Sequence, residues 1–181
     1  MVHGPGGAGK NTLIRALVAA RDDVSFAVSA TTRPARPGEF DARDYHFVSH
    51  ERFQQMVDDG AFLEWAEFNG QRYGTPWSSL AEIMSGGRIA VLDIEMQGVE
   101  QVRSRYPDAV LVFVKPSSVE QLAQRLRERG GADAEAIARR MAIARRQLET
   151  EAARFDHVVV NDDLDTAVAA ISRILDKMPA I

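Results

Sequence analysis

The chain has no cysteine, which excludes disulfides, thiolate zinc sites and a cysteine nucleophile while leaving the compartment open. It has no apolar run of about 18 residues, the length a membrane span needs, and its first residues lack the apolar core of a secretory signal. Both absences make a cytoplasmic protein away from the membrane the expectation. Positive charge is in deficit. Lys and Arg total 22 against 26 Asp and Glu, a net charge of −4, so no general basic field exists to hold nucleic acid and any anion site has to be built locally. Internal repeats and low-complexity linkers are missing too. At 181 residues the chain suits one well-buried core with room for a small inserted lobe, and is short for two ordinary domains.

What is present alternates. The segments "FAVSATT", "YHFV", "FLEWAEF", "IAVLDIE", "AVLVFVK" and "HVVVN" are short, β-branched and apolar, and read as strands separated by longer charged stretches that read as helices. "IAVLDIE" and "AVLVFVK" are nearly continuous apolar runs of the kind buried on both faces of a parallel sheet. Asn69-Gly70 between alternating segments signals a hairpin, hence a mixed or antiparallel lobe at about 30 to 80 inserted into a parallel α/β core. Only Met1-Val2-His3 precede the first glycine, whereas a strand usually has about five or six residues. The first strand is therefore expected to be very short or to lack its beginning.

Directly after it, Gly4, Pro5, Gly6, Gly7, Ala8, Gly9 and Lys10 fit G-x-x-x-x-G-K and lead into "NTLIRALVAAR", with Leu13, Leu17 and Ala20 at helical spacing. Small residues between a strand and a helix N-terminus let backbone N–H groups turn toward phosphate oxygens, and Lys10 adds a mobile positive charge. A bare strand-to-helix turn would not need the lysine. Asn11 stands where Ser or Thr normally meets Mg²⁺; it can cap the helix, and its amide oxygen can reach a metal-bound water, but it is a poorer hard-cation ligand. Phosphate binding is expected to survive this change better than metal positioning. In "SATTRPARPGEFDARDYHF", Arg33 and Arg36 stand three apart in a proline-rich loop with Tyr45 nearby, a pairing suited to clamping a phosphate dianion. By composition alone, a solvated surface loop is the better reading of the two.

The motifs "GPGGAGK", "SATTRPARPGE", "DYHFVS", "FLEWAEFNGQRYGTP", "LDIEMQGV", "RLRERG" and "VVVNDDLD" occur in the order and spacing of the guanylate kinases, and the chain resembles that family from Gly4 to about Ile174. The resemblance implies a P-loop nucleoside monophosphate kinase fold of α/β class. Its core would take about 1–30, 81–120 and 150–181, its GMP-binding lobe about 31–80 and its lid about 121–149. The implied reaction moves the ATP γ-phosphoryl group to GMP with Mg²⁺, by a monomer or homodimer with ATP and GMP as its partners. The implied GMP-phosphate contacts are Ser29, Arg33, Arg36, Tyr45 and Tyr73, and the guanine contacts are Glu64 and Thr75. The chemistry agrees: one carboxylate accepts from guanine N1–H and N2–H₂ together, a pair that adenine lacks. Alternation in "FLEWAEF" alone would place Glu64 in solvent.

Asp93 and Glu95, two apart in "LDIE", read as sharing one face at the end of a strand. There they would organise Mg²⁺ waters, orient Lys10 or hold the GMP ribose side, with a helix cap as the bland alternative. ATP contacts are implied for Gly4 through Gly9, Lys10, Asn11, Thr12, Arg129 and Asn161, and metal contacts for Asn11 and, through water, Asp93. Catalytic duties are implied for Lys10, Arg33 and the lid arginines Arg125, Arg129 and Arg140, carried on a helix that breaks at Gly130-Gly131; Arg127, Arg139, Arg145 and Arg146 belong to its solvated face. A nucleotide-sensing or protein-binding module on the same fold is the competing expectation, favoured by Asn11 and the short first strand and opposed by the intact Lys10, Arg33, Arg36, Glu64 and lid arginines.

Overall fold

The computed structural model describes residues 1–128 and 134–178. The chain begins with strand β1 (Val2–His3), the glycine loop and helix α1 (Lys10–Ala20), then β2 (Val24–Phe26), β3 (Ala30–Thr31), β4 (His46–Phe47), α2 (His50–Asp58), β5 (Phe62–Phe68) and β6 (Gln71–Pro76). It continues through α3 (Trp77–Ser85), β7 (Ile89–Val91), α4 (Met96–Arg105), β8 (Val112–Lys115), α5 (Val119–Glu128), α6 (Ala134–Thr150), β9 (His157–Val160) and α7 (Leu164–Leu175). These elements form two compact units, one made of Met1 and Arg21–Ala109, the other of Val2–Ala20 and Val110–Ile181.

In the second unit β1, β8 and β9 make a parallel sheet in that order, with Val2 opposite Val112 and His3 opposite Phe113. The expected short strand is thus two residues long, and both its side chains are buried. Helix α1 turns Leu13, Ile14 and Leu17 inward, the spacing of one helical face, and packs on α7. Leu122 and Leu126 of α5 bury against Ala144 and Met141 of α6.

In the first unit β2 and β7 pair in parallel, and β4-β3-β6-β5 form a mixed four-stranded sheet. The single strand expected from "FAVSATT" is interrupted: β2 ends at Phe26, β3 starts at Ala30, and the two lie in different sheets. The chain leaves one ladder for the other at Ala27–Ser29, a break that a continuous apolar run does not reveal. The expected hairpin is present, with Asn69 at φ 52° and Gly70 at φ 72°, the two positive values that a two-residue hairpin turn of right-handed twist requires. Phe53 of α2 stacks on Phe62 of β5 with ring centres 4.6 Å apart, and Ala30 and Trp65 close this core.

β5 carries an irregularity beside Glu64. Pairing runs from Phe62 opposite Pro76 to Glu64 opposite Thr75, so Phe62 and Leu63 share one partner position in a bulge. A bulge shifts the inward and outward alternation by one residue. Here it lets Phe62 and Trp65, three apart, share the Phe53 side, and puts Glu64 on the opposite face with Ala66, where it lies against Gly98 of α4 and is only 3% exposed.

Candidate active site

Glu64 sits opposite Thr75, and both polar groups of Thr75 point at it. Glu64 Oε1 accepts from the Thr75 N–H at 2.9 Å and from Thr75 Oγ1 at 2.6 Å, and Ser29 Oγ lies 3.3 Å from the same hydroxyl. All three residues are buried. Burial pushes the Glu64 carboxyl up to about 7 against the pull of the Thr75 bonds, with the charges of Glu95 and Asp93 adding to the rise. Oε1 is fixed by the protein, whereas Oε2 accepts no hydrogen bond among the described residues and lies against Gly98 of α4. A buried carboxylate with one oxygen committed and the other unclaimed is prepared to receive donors from outside.

Near it, Arg33 is held in place on all sides but one. Its Nη1 donates to Glu39 Oε2 at 2.6 Å and to the Pro34 carbonyl at 3.0 Å, and its Nη2 donates to Glu39 Oε1 at 2.8 Å. The guanidinium carbon lies 4.9 Å from the Tyr45 ring centre and 5.6 Å from that of Phe47. Burial works to raise the Glu39 carboxyl, and the bonds from Arg33 and the Arg36 N–H, with both arginine charges, hold it below the ordinary carboxylate value. Glu39 therefore fixes the end-on edge of Arg33, and the side edge, Nε with the second Nη2 hydrogen, has the geometry for a two-pronged contact with an oxyanion. Tyr45 and Tyr73 stand 6.2 Å apart edge to face. Burial drives the Tyr45 phenol above its ordinary value, so it stays a protonated donor.

Within the other unit, the glycine loop is fixed from behind. Ala8 N donates to the Pro5 carbonyl at 3.1 Å, and Asn161 Nδ2 donates to the Ala8 carbonyl at 2.8 Å. Arg125 Nη2 donates to the Asn161 carbonyl at 2.9 Å. Gly4 and Gly9 are required by space and by dihedral: a side chain on Gly4 would collide with the Val114 carbonyl and one on Gly9 with Asn161 Nδ2, and both residues have positive φ. Lys10 Nζ donates to the Gly4 carbonyl at 2.8 Å, so the lysine folds back onto the start of its own loop. Helix α1 begins at Lys10. That corrects the expectation of an Asn11 cap, because Asn11 lies inside the first turn, exposed beside Thr12.

The family model described as guanylate kinase matches residues 1–178. The chain belongs to the guanylate kinase family. Its sequence is 47% identical over 175 residues to a guanylate kinase of Symbiobacterium thermophilum, covering 97% of this chain and 82% of that one. It is also 47% identical over 175 residues to one of Gloeobacter violaceus, covering 97% and 85%. The crystal structure of guanylate kinase from Anaplasma phagocytophilum superposes with a TM-score of 0.75 at 29% identity, covering 97% of this chain and 82% of that one. The fold is accordingly the α/β P-loop nucleoside monophosphate kinase fold.

Of the residues that the guanylate kinase motifs nominated, the structure brings Ser29, Glu64 and Thr75 into one hydrogen-bonded group and sets Arg33, Tyr45 and Tyr73 beside one another. Arg36 is exposed, with its charge acting on Glu39. The shared strand face for Asp93 and Glu95 is corrected. β7 ends at Val91, and Glu95 is the N-cap residue of α4, with no side-chain cap bond. The two carboxylates act on the same neighbour all the same, since both charges raise Glu64. Asn161 is buried and braces the loop through Ala8. Arg140 is exposed on α6, and Arg129 lies outside the described residues. Glu39 was missed. Its signal was a carboxylate six residues after Arg33 in a stretch with two prolines and Gly38 (φ 83°), a turn that folds it back on the arginine.

Proposed function

We propose that the chain phosphorylates GMP, taking the γ-phosphoryl group of ATP and releasing ADP and GDP, with each half-reaction partner held by one of the two residue groups above. The observation that carries the choice of base is the buried Glu64 with Oε1 bonded to Thr75 and Oε2 left to a ligand. Guanine offers N1–H and N2–H₂ side by side to such a carboxylate; adenine offers at N1 an acceptor that would face it. The side edge of Arg33, the Arg36 charge and the Tyr45 and Tyr73 hydroxyls take the GMP phosphate, whose own oxygen is the nucleophile, so no side chain needs to attack. At the glycine loop, Lys10 exchanges the Gly4 carbonyl for the β- and γ-phosphates, a bond of equal geometry to a partner of full charge. Arg125, already braced at the loop, neutralises charge spreading over the transferred group.

Magnesium fits this donor set in a restricted way. Among the described residues no group of three or more His, Asp or Glu could enclose a metal ion. Mg²⁺ in kinases is instead held mostly by substrate phosphates and water, with one or two protein oxygens, and the exposed Asn11 amide and, through water, Asp93 are the oxygens this chain offers. The ion would supply positive charge to offset that of the phosphates during transfer. No helix among the described residues is long and apolar enough to cross a membrane; the proposed setting is the cytoplasm and the proposed acting form a monomer or homodimer.

Coupled measurement of ADP release tests the assignment. With ATP and Mg²⁺ the protein should turn over GMP with kcat/KM at least about 100-fold above that for AMP, because a buried carboxylate left without donors costs a few kcal/mol. Equal turnover of AMP, or none of GMP, would refute it.

A further inference from the structure

β5 is the edge strand of its sheet, in the order β4-β3-β6-β5, so the backbone groups on its outer side face no strand. Helix α4 supplies the missing partners. Gln101 Oε1 accepts from the Trp65 N–H at 3.2 Å, Gln101 Nε2 donates to the Trp65 carbonyl at 2.7 Å, and Arg105 Nη1 donates to the Leu63 carbonyl at 2.9 Å. A side-chain amide that both accepts from and donates to one residue does what a neighbouring strand would do. The two residues that α4 holds, Trp65 through Gln101 and Leu63 through Arg105, flank Glu64 on either side, and Leu63 is the extra residue of the bulge.

The same helix face carries Gly98, one turn before Gln101 and two turns before Arg105. A Cβ on Gly98 would overlap Glu64 Oε2 and lie 2.9 Å from the carboxyl carbon. Gly98 has ordinary helical placement, with no positive φ to explain it. A glycine inside a helix costs about 1 kcal/mol relative to alanine, and here the space it leaves is filled by the carboxylate itself.

We propose that Gly98, Gln101 and Arg105 form a clasp on the free edge of β5 that sets the position of the Glu64 carboxylate, and that this clasp makes α4 a determinant of selectivity for guanine over bases lacking the 2-amino group. These are positioning residues; none needs to touch the nucleotide. The proposal rests on Glu64 as the reader of the base. Oε1 is anchored through Thr75, so its place is secured by β6. The backbone on either side of Glu64 is held through the clasp, and releasing it lets the carboxylate swing about the Thr75 anchor. Misplacement by a few tenths of an ångström then costs mainly the second hydrogen bond, the one to the exocyclic amine.

Steady-state kinetics of the full chain with GMP and with IMP, which keeps N1–H and lacks the 2-amino group, tests this alongside thermal unfolding. Gln101→Met removes both bonds at similar volume and should lower kcat/KM for GMP about tenfold while changing that for IMP less than about twofold. KM for ATP and kcat at saturating GMP should stay within about twofold of the parent. Gly98→Ala, which displaces Oε2 directly and leaves the Trp65 bonds in place, should produce the same selective loss, and it decides the matter if Gln101→Met does not fold. Equal losses for GMP and IMP, or a shift in KM for ATP, would show that α4 serves stability alone and overturn the proposal. Glu64→Gln serves as the control for the reading beneath it. If that variant keeps the GMP to IMP ratio, Glu64 does not read the base and the clasp proposal falls with it; if it loses the ratio while Gln101→Met and Gly98→Ala keep theirs, only the clasp falls.

Discussion

In the proposed role as reader of the base, the Glu64 carboxyl meets two demands that conflict: burial that would reject the wrong base also taxes its charge. Its folded-state pKa of about 7 lies above the ordinary 4.5, so the stability that Glu64 contributes is fully present below about pH 4.5 and is lost as pH rises through 7. Above that range the empty protein carries a buried anion that only Thr75 compensates. Replacing Glu64 with Gln removes this charge while keeping an oxygen for Thr75. Glu64→Gln is therefore expected to stabilise the ligand-free protein at pH 8 relative to pH 5, by an amount that cannot exceed the order of 3 kcal/mol at about 1.4 kcal/mol per pKa unit. Urea unfolding of both proteins at the two pH values checks this; a difference independent of pH would mean that the carboxyl titrates normally. GMP binding takes the opposite direction, since the carboxylate form receives guanine's donors. GMP affinity should fall as pH drops below 7 in the parent by more than in Glu64→Gln, which cancels the titration of the GMP phosphate itself.

The glycine loop shows an element whose local sequence is nearly its whole specification. Gly4 and Gly9 are required by positive φ and by close approach of Val114 and Asn161, and a strand before and a helix after are enough to aim the amides, so the motif was legible from a dozen residues. The Asn69-Gly70 hairpin was legible for the same reason. What the sequence left hidden depends on partners far along the chain. The β5 bulge exists through pairing with β6, the clasp joins Gln101 to Trp65 across 36 residues, and the break between β2 and β3 reflects which ladder each half finds. Glu64 marks the boundary: a charged residue in an apolar strand read as solvent-facing, the family motif named it, and its burial rests on Thr75 of β6 and Gly98 of α4, partners that the local pattern does not show. Within the loop element, Asn11 is the one departure from the usual hydroxyl, exposed in the first turn of α1. The loop amides and Lys10 hold phosphates whether or not position 11 bears a hydroxyl, whereas metal placement counts when charge redistributes in the transition state. Asn11→Ser should thus lower the Mg²⁺ concentration for half-maximal turnover and raise kcat, with metal-free nucleotide affinity unchanged to within about twofold. Identical Mg²⁺ titrations for the two proteins would show that Asn11 is a neutral replacement.

The molecule as a whole is acidic, at −4, and still has to bind two polyanions, which is why its useful positive charge is concentrated in short, braced segments. One compact unit holds the carboxylate group and the Arg33 loop; the other holds the glycine loop, Arg125 and Asn161. Each braces its own cation with its own chain: Glu39 for Arg33, and the Asn161 carbonyl for Arg125. A ligand that binds the native form stabilises it by about 2.7 kcal/mol at 100 times its Kd, and the segments that open locally gain protection only where the ligand adds contacts. Hydrogen exchange with single nucleotides should therefore divide along the chain. GMP alone should slow exchange in β3, in the loop from Arg33 to Tyr45 and in β5 and β6, while ATP alone should slow exchange in the glycine loop, the first turn of α1 and α5. Arg33→Ala should erase the GMP pattern and leave the ATP pattern intact, because its side chain is placed for the acceptor phosphate. If ATP protects the Arg33 loop, or if Arg33→Ala abolishes protection by ATP, the two groups of residues have been assigned to the wrong nucleotides.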